Sequence, residues 1–206
     1  MLIAICGKFY DIRAGSIRGN GKNISAVYLA YQDYLEGRKV YTNFKTTFST
    51  MIGVNELIDL FNSEELTNCT IIIDEITKYL NNSGVKVVVR KSLIQDFIAE
   101  SRKADIDIII MTQRYLQIHK ELREHVDIVL IAIKYHFDQE HNCLTGICNY
   151  DRCKKRHAIR ILSMNTGQFL KENGQILTLD PAIIGKLYNS NLIVKDRFVI
   201  ENKKKN

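Results

Sequence analysis

Three short polar stretches carry the chemistry in this sequence. The first is Ser16-Ile17-Arg18-Gly19-Asn20-Gly21-Lys22-Asn23, in which two glycines flank one residue, a lysine follows, and a helix-competent run begins at Ile24. A loop that wraps a phosphate with its own backbone N–H groups needs residues without a Cβ. A helix starting behind it adds N–H groups and the positive end of its dipole. Gly19, Asn20, Gly21, Lys22, Asn23 and Ile24 are therefore the expected nucleotide-binding residues, with Lys22 reaching the β- and γ-phosphates of ATP. The stretch departs from the pattern G-x-x-x-x-G-K-[ST] at two places, with Ser16 at the first glycine position and Asn23 at the hydroxyl position. Asn23 offers Mg²⁺ a carbonyl oxygen where the pattern offers a hydroxyl. The plain alternative is a glycine-rich turn that caps a helix.

The second stretch is Thr70-Ile71-Ile72-Ile73-Asp74-Glu75, an apolar run that ends in two carboxylates. A run of this kind is buried on both faces of a parallel sheet, and carboxylates at its carboxyl end are costly without a cation. The pattern is that of a Walker B strand, in which Asp74 holds Mg²⁺ through its water shell and Glu75 orients and deprotonates the attacking water. The plain alternative is a strand leaving into an acidic turn. The third stretch ends the run from Asp105 to Thr112, where Gln113 is placed to hydrogen-bond the attacking water or the γ-phosphate. Asp74 and Asn23 are the expected Mg²⁺ ligands, and Glu75 and Gln113 the expected catalytic residues.

Several elements must position these groups. Leu2 to Cys6 is an apolar strand ending at Gly7, and Lys8 to Gly15 then lengthen the phosphate loop or, alternatively, form a short hairpin. Ile24 to Glu36 is a helix with Ile24, Val27, Tyr31, Tyr34 and Leu35 on one face and Gly37 as its stop. Val40 to Asn43 is a strand, and Val54 to Asn62 a helix with Val54, Leu57, Ile58 and Phe61 inward. A polar patch from Asn81 to Gly84 and the run from Val85 to Arg90 follow. Ser92 to Arg102 is a helix with Leu93, Phe97 and Ile98 inward, and Val126 to Ile133 is a further strand. Strands alternating with helices imply an α/β fold with a doubly wound, mainly parallel sheet.

The order of these motifs resembles the FtsK/HerA superfamily of P-loop motors. The resemblance rests on the Gly-x-Gly-Lys loop and its helix, Gly37 to Asn43, Ile-Ile-Ile-Asp-Glu, Ser101-Arg102-Lys103, and Asp-Ile-Ile-Ile-Met-Thr-Gln-Arg ending at Arg114. The segment from Arg102 to Arg114 is similar to the FtsK segment ending in Ala-Thr-Gln-Arg-Pro and to Zot-like phage assembly ATPases. In size the chain resembles the genome-packaging ATPases of membrane-containing icosahedral viruses, the turreted viruses of Sulfolobus among them. The resemblance covers about residues 1–135. It implies a RecA-like core and a ring homo-oligomer, a pentamer or hexamer, that drives double-stranded DNA through its centre into a preformed capsid. It further implies contacts with capsid or virion vertex proteins, and an arginine from one subunit completing the next subunit's site. Arg102 stands at the family's arginine position, with Arg123 and Arg90 as reserves. A Zot-like assembly or export motor, or a nucleotide-binding regulatory protein, are the competing readings.

The whole chain bounds these readings. Its 206 residues are 46% hydrophobic, enough for one substantial core, and a single domain over residues 1–206 is expected. No apolar run reaches bilayer length, and no signal-peptide pattern follows Met1, so an intracellular protein is expected; the resemblance implies that this is the host cytoplasm, with virion association. A net charge of +6 favours an anionic partner, and the basic residues in Lys8 to Arg18 and Lys154 to Arg156 are the expected pore contacts. Residues 136–206 read as a C-terminal β-rich extension. His136, His141, Cys143, Cys148, Cys153 and His157 lie in it, but Cys-x4-Cys-x4-Cys lacks the tight Cys-x2-Cys pair of zinc modules. The stretch reads as a hairpin, with a disulfide as the alternative in a hyperthermophilic host. Ala158 to Leu162 and Gln175 to Leu179 are strand candidates, Pro181 to Tyr188 a short helix, and Lys203 to Lys205 a basic tail.

Overall fold

The computed structural model describes residues 1–8, 21–53, 56–57, 59–60, 66–77, 96–98, 100–136 and 157–193. In chain order its main elements are β1 (Leu2–Lys8), α1 (Lys22–Leu35), β2 (Lys39–Thr42), β3 (Phe44–Thr46), β4 (Thr50–Met51), β5 (Cys69–Ile73), β6 (Ile106–Arg114), β7 (Ile128–His136) and β8 (His157–Ser163). Among the described residues the main sheet runs Thr178–Leu179, β8, β7, β1, β6, β5, β2, β4, with Gln168–Phe169 pairing β8 at the side. Pairing from β7 through β4 is parallel, whereas β8 and the two short strands beside it run antiparallel. This is the mainly parallel α/β sheet expected from the motif order. The β-rich extension is continuous with it, because β8 pairs with β7 along its whole length.

Period-2 alternation sorts the side chains of the central strands onto two apolar faces. Leu2, Ala4, Ile71, Ile73, Ile108 and Ile110 face one cluster with Leu57, Phe97, Ile98 and Leu122. Ile3, Ile5, Ile72, Ile109 and Met111 face the other with Ala26, Val27, Ala30, Ile159 and Ile161. All five residues of β5 are buried, and a fully buried isoleucine contributes about 1.5–3 kcal/mol. The strand that ends at Asp74 is therefore firmly held.

Four local expectations are corrected. The inward face of α1 is Ser25, Ala26, Val27 and Ala30, because small side chains let the helix lie close on the sheet. Tyr34 and Leu35 are exposed, and Tyr31 and Tyr34 pack instead around Phe48, with ring centroids 5.0 and 5.4 Å from it. The strand containing Gln113 begins at Ile106, since Asp105 takes a left-handed φ of 53°, and it continues to Arg114 through pairing with Lys8. The run from Gln175 to Leu179 is two short strands, one pairing with Lys171–Glu172 and one with β8. The helix beginning at Pro181 is an α-helix to Ile184 and a 3-10 turn over Gly185–Leu187, and Tyr188 opens a strand, Tyr188–Ile193, paired with β3. Phe97 and Ile98 are buried as expected. The readings at residues 9–20, 81–90 and 137–156 and in the basic tail lie outside the described residues.

Candidate nucleotide site

In a parallel sheet the loops at the carboxyl ends of the strands gather at one edge. β1 pairs with β6 from Leu2↔Ile108 to Lys8↔Arg114, and β5 pairs with β6 up to Ile73↔Ile110. The Ile76 N–H then donates to Met111 O at 3.2 Å, which draws the Asp74–Glu75 turn against the end of β6. The carboxyl ends of β1, β5 and β6 therefore meet at that edge.

α1 starts at Lys22, behind Gly21 at φ 90°; among the described residues no side chain caps it, and its first turn has no acidic residue. Its amino end presents backbone N–H groups and the positive dipole end with no carboxylate of its own to neutralise them. A Cβ at Gly21 would stand 2.5 Å from Ile159 Cδ1, so both the positive φ and the close approach of β8 demand glycine. The N–H and Oγ of Ser25 both donate to Gly21 O, at 2.9 and 3.0 Å, and tie this turn to the helix.

Lys22 is 6% exposed, and its ammonium donates to Gln113 Oε1 at 2.9 Å. Burial pushes it below its ordinary value of 10.5, opposed by the Asp74 carboxylate and by Cys6. One residue on, Asn23 Nδ2 donates to Asp74 Oδ2 at 3.3 Å. Asp74 is buried at the tip of β5. Glu75 follows at φ 53°, in the left-handed region, and its Oε2 is shielded from solvent. Strained backbone at such a strand tip is a feature of functional sites. Beneath Lys22, the Cys6 thiol donates to Leu130 O at 3.5 Å, and burial pushes it up to about 12 against the pull of Lys22.

The structure therefore brings Lys22, Asn23, Asp74 and Gln113 together, with Ile24 on the first turn of α1 and Glu75 beside Asp74. Gly19 and Asn20 lie outside the described residues. Arg102 is elsewhere. Its backbone lies in the 3-10 turn Ser101–Ala104, before the amino end of β6, where the Asn68 N–H donates to Ala104 O at 3.1 Å. From Ile106 to Gln113 β6 rises about 3.3 Å per residue, which puts roughly 23 Å between the amino end of the strand, where this turn lies, and Gln113. Arg123 follows the carboxyl end of β6, in the helix Lys120–Glu124, with its guanidinium 6.0 Å from the Tyr115 ring centroid. Arg90 is outside the described residues.

The donor set fits the groups that the motifs imply. Rotation of the Asn23 amide exchanges Nδ2 for Oδ1, so a carboxylate and an amide oxygen converge as the hard ligands that Mg²⁺ takes. The buried Lys22 and the uncapped amino end of α1 suit a polyphosphate. Three contributors were not singled out as site residues in the sequence: Cys6, Ile159 and Asn43. Asn43 holds the backbone of Asp74 at two points, 2.8 and 3.1 Å. A polar residue directly after an apolar strand is the one trace of it.

The family model described as zonular occludens toxin (Zot) matches residues 11–188. Among solved structures, the N-terminal domain of zonular occludens toxin from Neisseria meningitidis is similar, with a TM-score of 0.55 and 16% identity, over 91% of this chain and 98% of that one. The genome packaging NTPase of Sulfolobus turreted icosahedral virus 2, in complex with ATP-gammaS, has a TM-score of 0.46 and 11% identity over 86% and 98%. A KaiC-like protein from the hyperthermophilic archaeon Pyrococcus horikoshii has a TM-score of 0.48 and 8% identity over 86% and 82%. At these identities the likenesses concern the fold. No curated protein matches this chain.

Proposed function

This chain belongs to the zonular occludens toxin (Zot) family, and from that premise we propose that it is an ATP-hydrolysing, Mg²⁺-dependent P-loop motor of the phage or viral kind. The observation that carries the chemistry is the pair of contacts at the head of α1, Lys22 to Gln113 at 2.9 Å and Asn23 to Asp74 at 3.3 Å. A buried lysine at a helix amino end suits a polyanion, and the carboxylate that meets the next residue suits a cation.

In this reading Gly19, Asn20, Gly21 and Ile24 bind the phosphates through the loop and the first turn of α1. Lys22 exchanges Gln113 for the β- and γ-phosphates, which frees the Gln113 amide to orient the attacking water. Glu75 takes a proton from that water. Asp74 and Asn23 hold Mg²⁺, which neutralises charge on the phosphate oxygens when bound. An arginine from a neighbouring copy in a ring completes the site.

The cargo is nucleic acid, and family membership favours assembly or export of a protein–DNA particle over packaging of naked double-stranded DNA. Among the described residues no helix is long and apolar enough to cross a membrane. The net charge of +6 favours an anionic cargo in either reading. Capsid or vertex contacts, one domain spanning residues 1–206, and a place in the host cytoplasm with virion association belong to the same proposal.

Turnover of ATP by the wild-type chain, by Lys22→Ala and by Glu75→Gln, with and without double-stranded DNA, tests it. Glu75→Gln should bind ATP and lose hydrolysis by about 10²–10⁴-fold, while Lys22→Ala should lose binding as well. Stimulation by naked DNA of any sequence, falling steeply with salt, supports packaging. Basal turnover that naked DNA leaves unchanged supports the assembly reading. An inactive wild-type chain, or an active Glu75→Gln, overturns the motor.

A further inference from the structure

Asn43 stands where the chain leaves β2 for β3. It is 1% exposed. The Asp74 N–H donates to Asn43 Oδ1 at 2.8 Å, and Asn43 Nδ2 donates to Asp74 O at 3.1 Å. The Asn43 N–H donates to Ile72 O at 3.4 Å, just beyond the last ladder pair, Thr42↔Ile72. The side-chain amide thus supplies the rung that the backbone of β2 no longer provides. Asparagine suits this place: its carboxamide carries the same donor and acceptor as a peptide group. Aspartate lacks the donor, and glutamine is one methylene longer.

The clamp is itself firmly mounted. Thr42 Oγ1 is bonded to Phe44 O and lies 2.9 Å from Ser49 Oγ. Thr46 Oγ1 lies 2.6 Å from Ser49 Oγ and accepts the Ser49 N–H at 2.9 Å. β3 is paired by Tyr188–Ile193. Fixing both peptide groups of Asp74 fixes the direction of its Cα–Cβ bond, and with it the carboxylate that meets Asn23. It also fixes the point from which Glu75 takes its left-handed turn.

We propose that Asn43 is a positioning residue for the Asp74–Glu75 pair, holding the strand tip so that the carboxylate of Asp74 faces the cation and that of Glu75 starts from a set place. This rests on the reading of Asp74 and Glu75 as the Mg²⁺ ligand and the base. Outer-shell hydrogen bonds of this kind change metal affinity or activity by about 10–100-fold.

Asn43→Ala and Asn43→Asp provide the test, in two arms. Amide hydrogen exchange without nucleotide or metal reads the clamp directly: Asn43→Ala should lose protection at Asp74, and Asn43→Asp, which keeps the acceptor, should retain part of it. The second arm measures turnover against Mg²⁺ together with binding of a fluorescent ATP analogue in EDTA. Asn43→Ala should need about 10–100-fold more Mg²⁺ for half-maximal turnover and show a lower kcat, while metal-free binding stays at the wild-type level. A change in stability alone does not shift Mg²⁺ dependence. Unchanged exchange at Asp74, or lost protection with wild-type Mg²⁺ dependence, overturns the proposal. If Asn43→Ala fails to fold, Asn43→Asp, of nearly equal volume, is held to the same criteria at smaller amplitude. A wild-type chain without turnover sinks the motor reading, while the exchange arm still decides whether the clamp exists.

Discussion

At the amino ends of the parallel strands, Arg38 donates from Nη2 to Cys69 O at 3.1 Å and to Asp105 O at 3.0 Å, and pairs with Asp105 and Asp107 at 3.5 and 3.2 Å. The Met1 ammonium adds a contact to Asp107 at 2.7 Å. At the carboxyl ends Lys22 is buried against the neutral amide of Gln113, and desolvation lowers its pKa. Both edges concentrate charge, but they use it differently. The amino edge neutralises its cations with carboxylates and carbonyls of its own chain. At the carboxyl edge the buried cation has a neutral amide as its hydrogen-bond partner and feels the Asp74 carboxylate only beyond direct contact, an arrangement that costs stability until an anion arrives. A structural network and a binding site can thus have similar composition and still be told apart by what faces the cation.

The largest effect expected would break the simple assignment of chemistry to one edge. Arg102 sits by its backbone at the amino edge, so any action on phosphate must be on a neighbouring copy. Arg102→Ala should then lower turnover by on the order of a thousandfold or more, as loss of such an arginine does in phosphoryl transfer. Mixed with Glu75→Gln, it should regain partial activity, since a mixed interface joins an intact catalytic face to an intact arginine. If the mixture stays inactive while both proteins still assemble, Arg102 has no such role. Arg123, which lies beyond the carboxyl end of β6 against Tyr115, is then the arginine to test.

A pair of substitutions sharpens the contrast at smaller amplitude. Arg38→Ala leaves Cys69 O and Asp105 O without that donor, and should cost about 1–3 kcal/mol in denaturant unfolding. Its ATP KM and kcat should stay at wild-type values. Lys22→Met keeps the apolar stem and removes the buried ammonium, so its stability should equal or exceed that of the wild type while turnover is lost. Equal losses of stability in the two variants would show that the edges do not differ as described.

Lys22, Asp74, Glu75 and Gln113 were legible in the sequence because each sits at the end of an apolar run or beside glycines, where local pattern suffices. β1, β5 and β6 were legible for the same reason, being buried on both faces. Asn43 was not, because its role depends on Asp74, which reaches it only through parallel pairing of β2 with β5. Tyr188 reads as the end of a helix, whereas it opens the strand Tyr188–Ile193 that pairs with β3. The inward face of α1 also misleads, since tyrosines at helical spacing look like core while the sheet admits only small residues. Local signals mark the candidate groups; which residues hold them is decided by contacts distant in sequence.

Cys6 and Cys69, the buried cysteines among the described residues, lie one at each edge and give the smallest expected effect. Cys6 lies beside Lys22 and Cys69 beside Arg38, and burial pushes their thiols from an ordinary 9.0 to about 12 and about 11. Only the thiolate is nucleophilic, so neither should react with iodoacetamide at pH 8 in the native chain, whereas both should react once it is unfolded. The same shifts make stability depend on pH. Above 9.0 the unfolded chain releases thiol protons that the native chain retains, so the stability these thiols contribute is full below 9.0 and declines as pH rises toward about 12 for Cys6. Lys22 acts with the opposite sign. Its native pKa lies below 10.5, so just under that pH the unfolded chain holds a proton the native chain has shed, and stability rises with pH. Cys6→Ala should therefore flatten the alkaline decline, and Lys22→Met should steepen it. Adding ATP should slow the residual labelling of Cys6 more than that of Cys69, because the ligand settles only the carboxyl edge. Equal slowing at both cysteines would mean that nucleotide stabilises the sheet as a whole, and that the two edges respond as one.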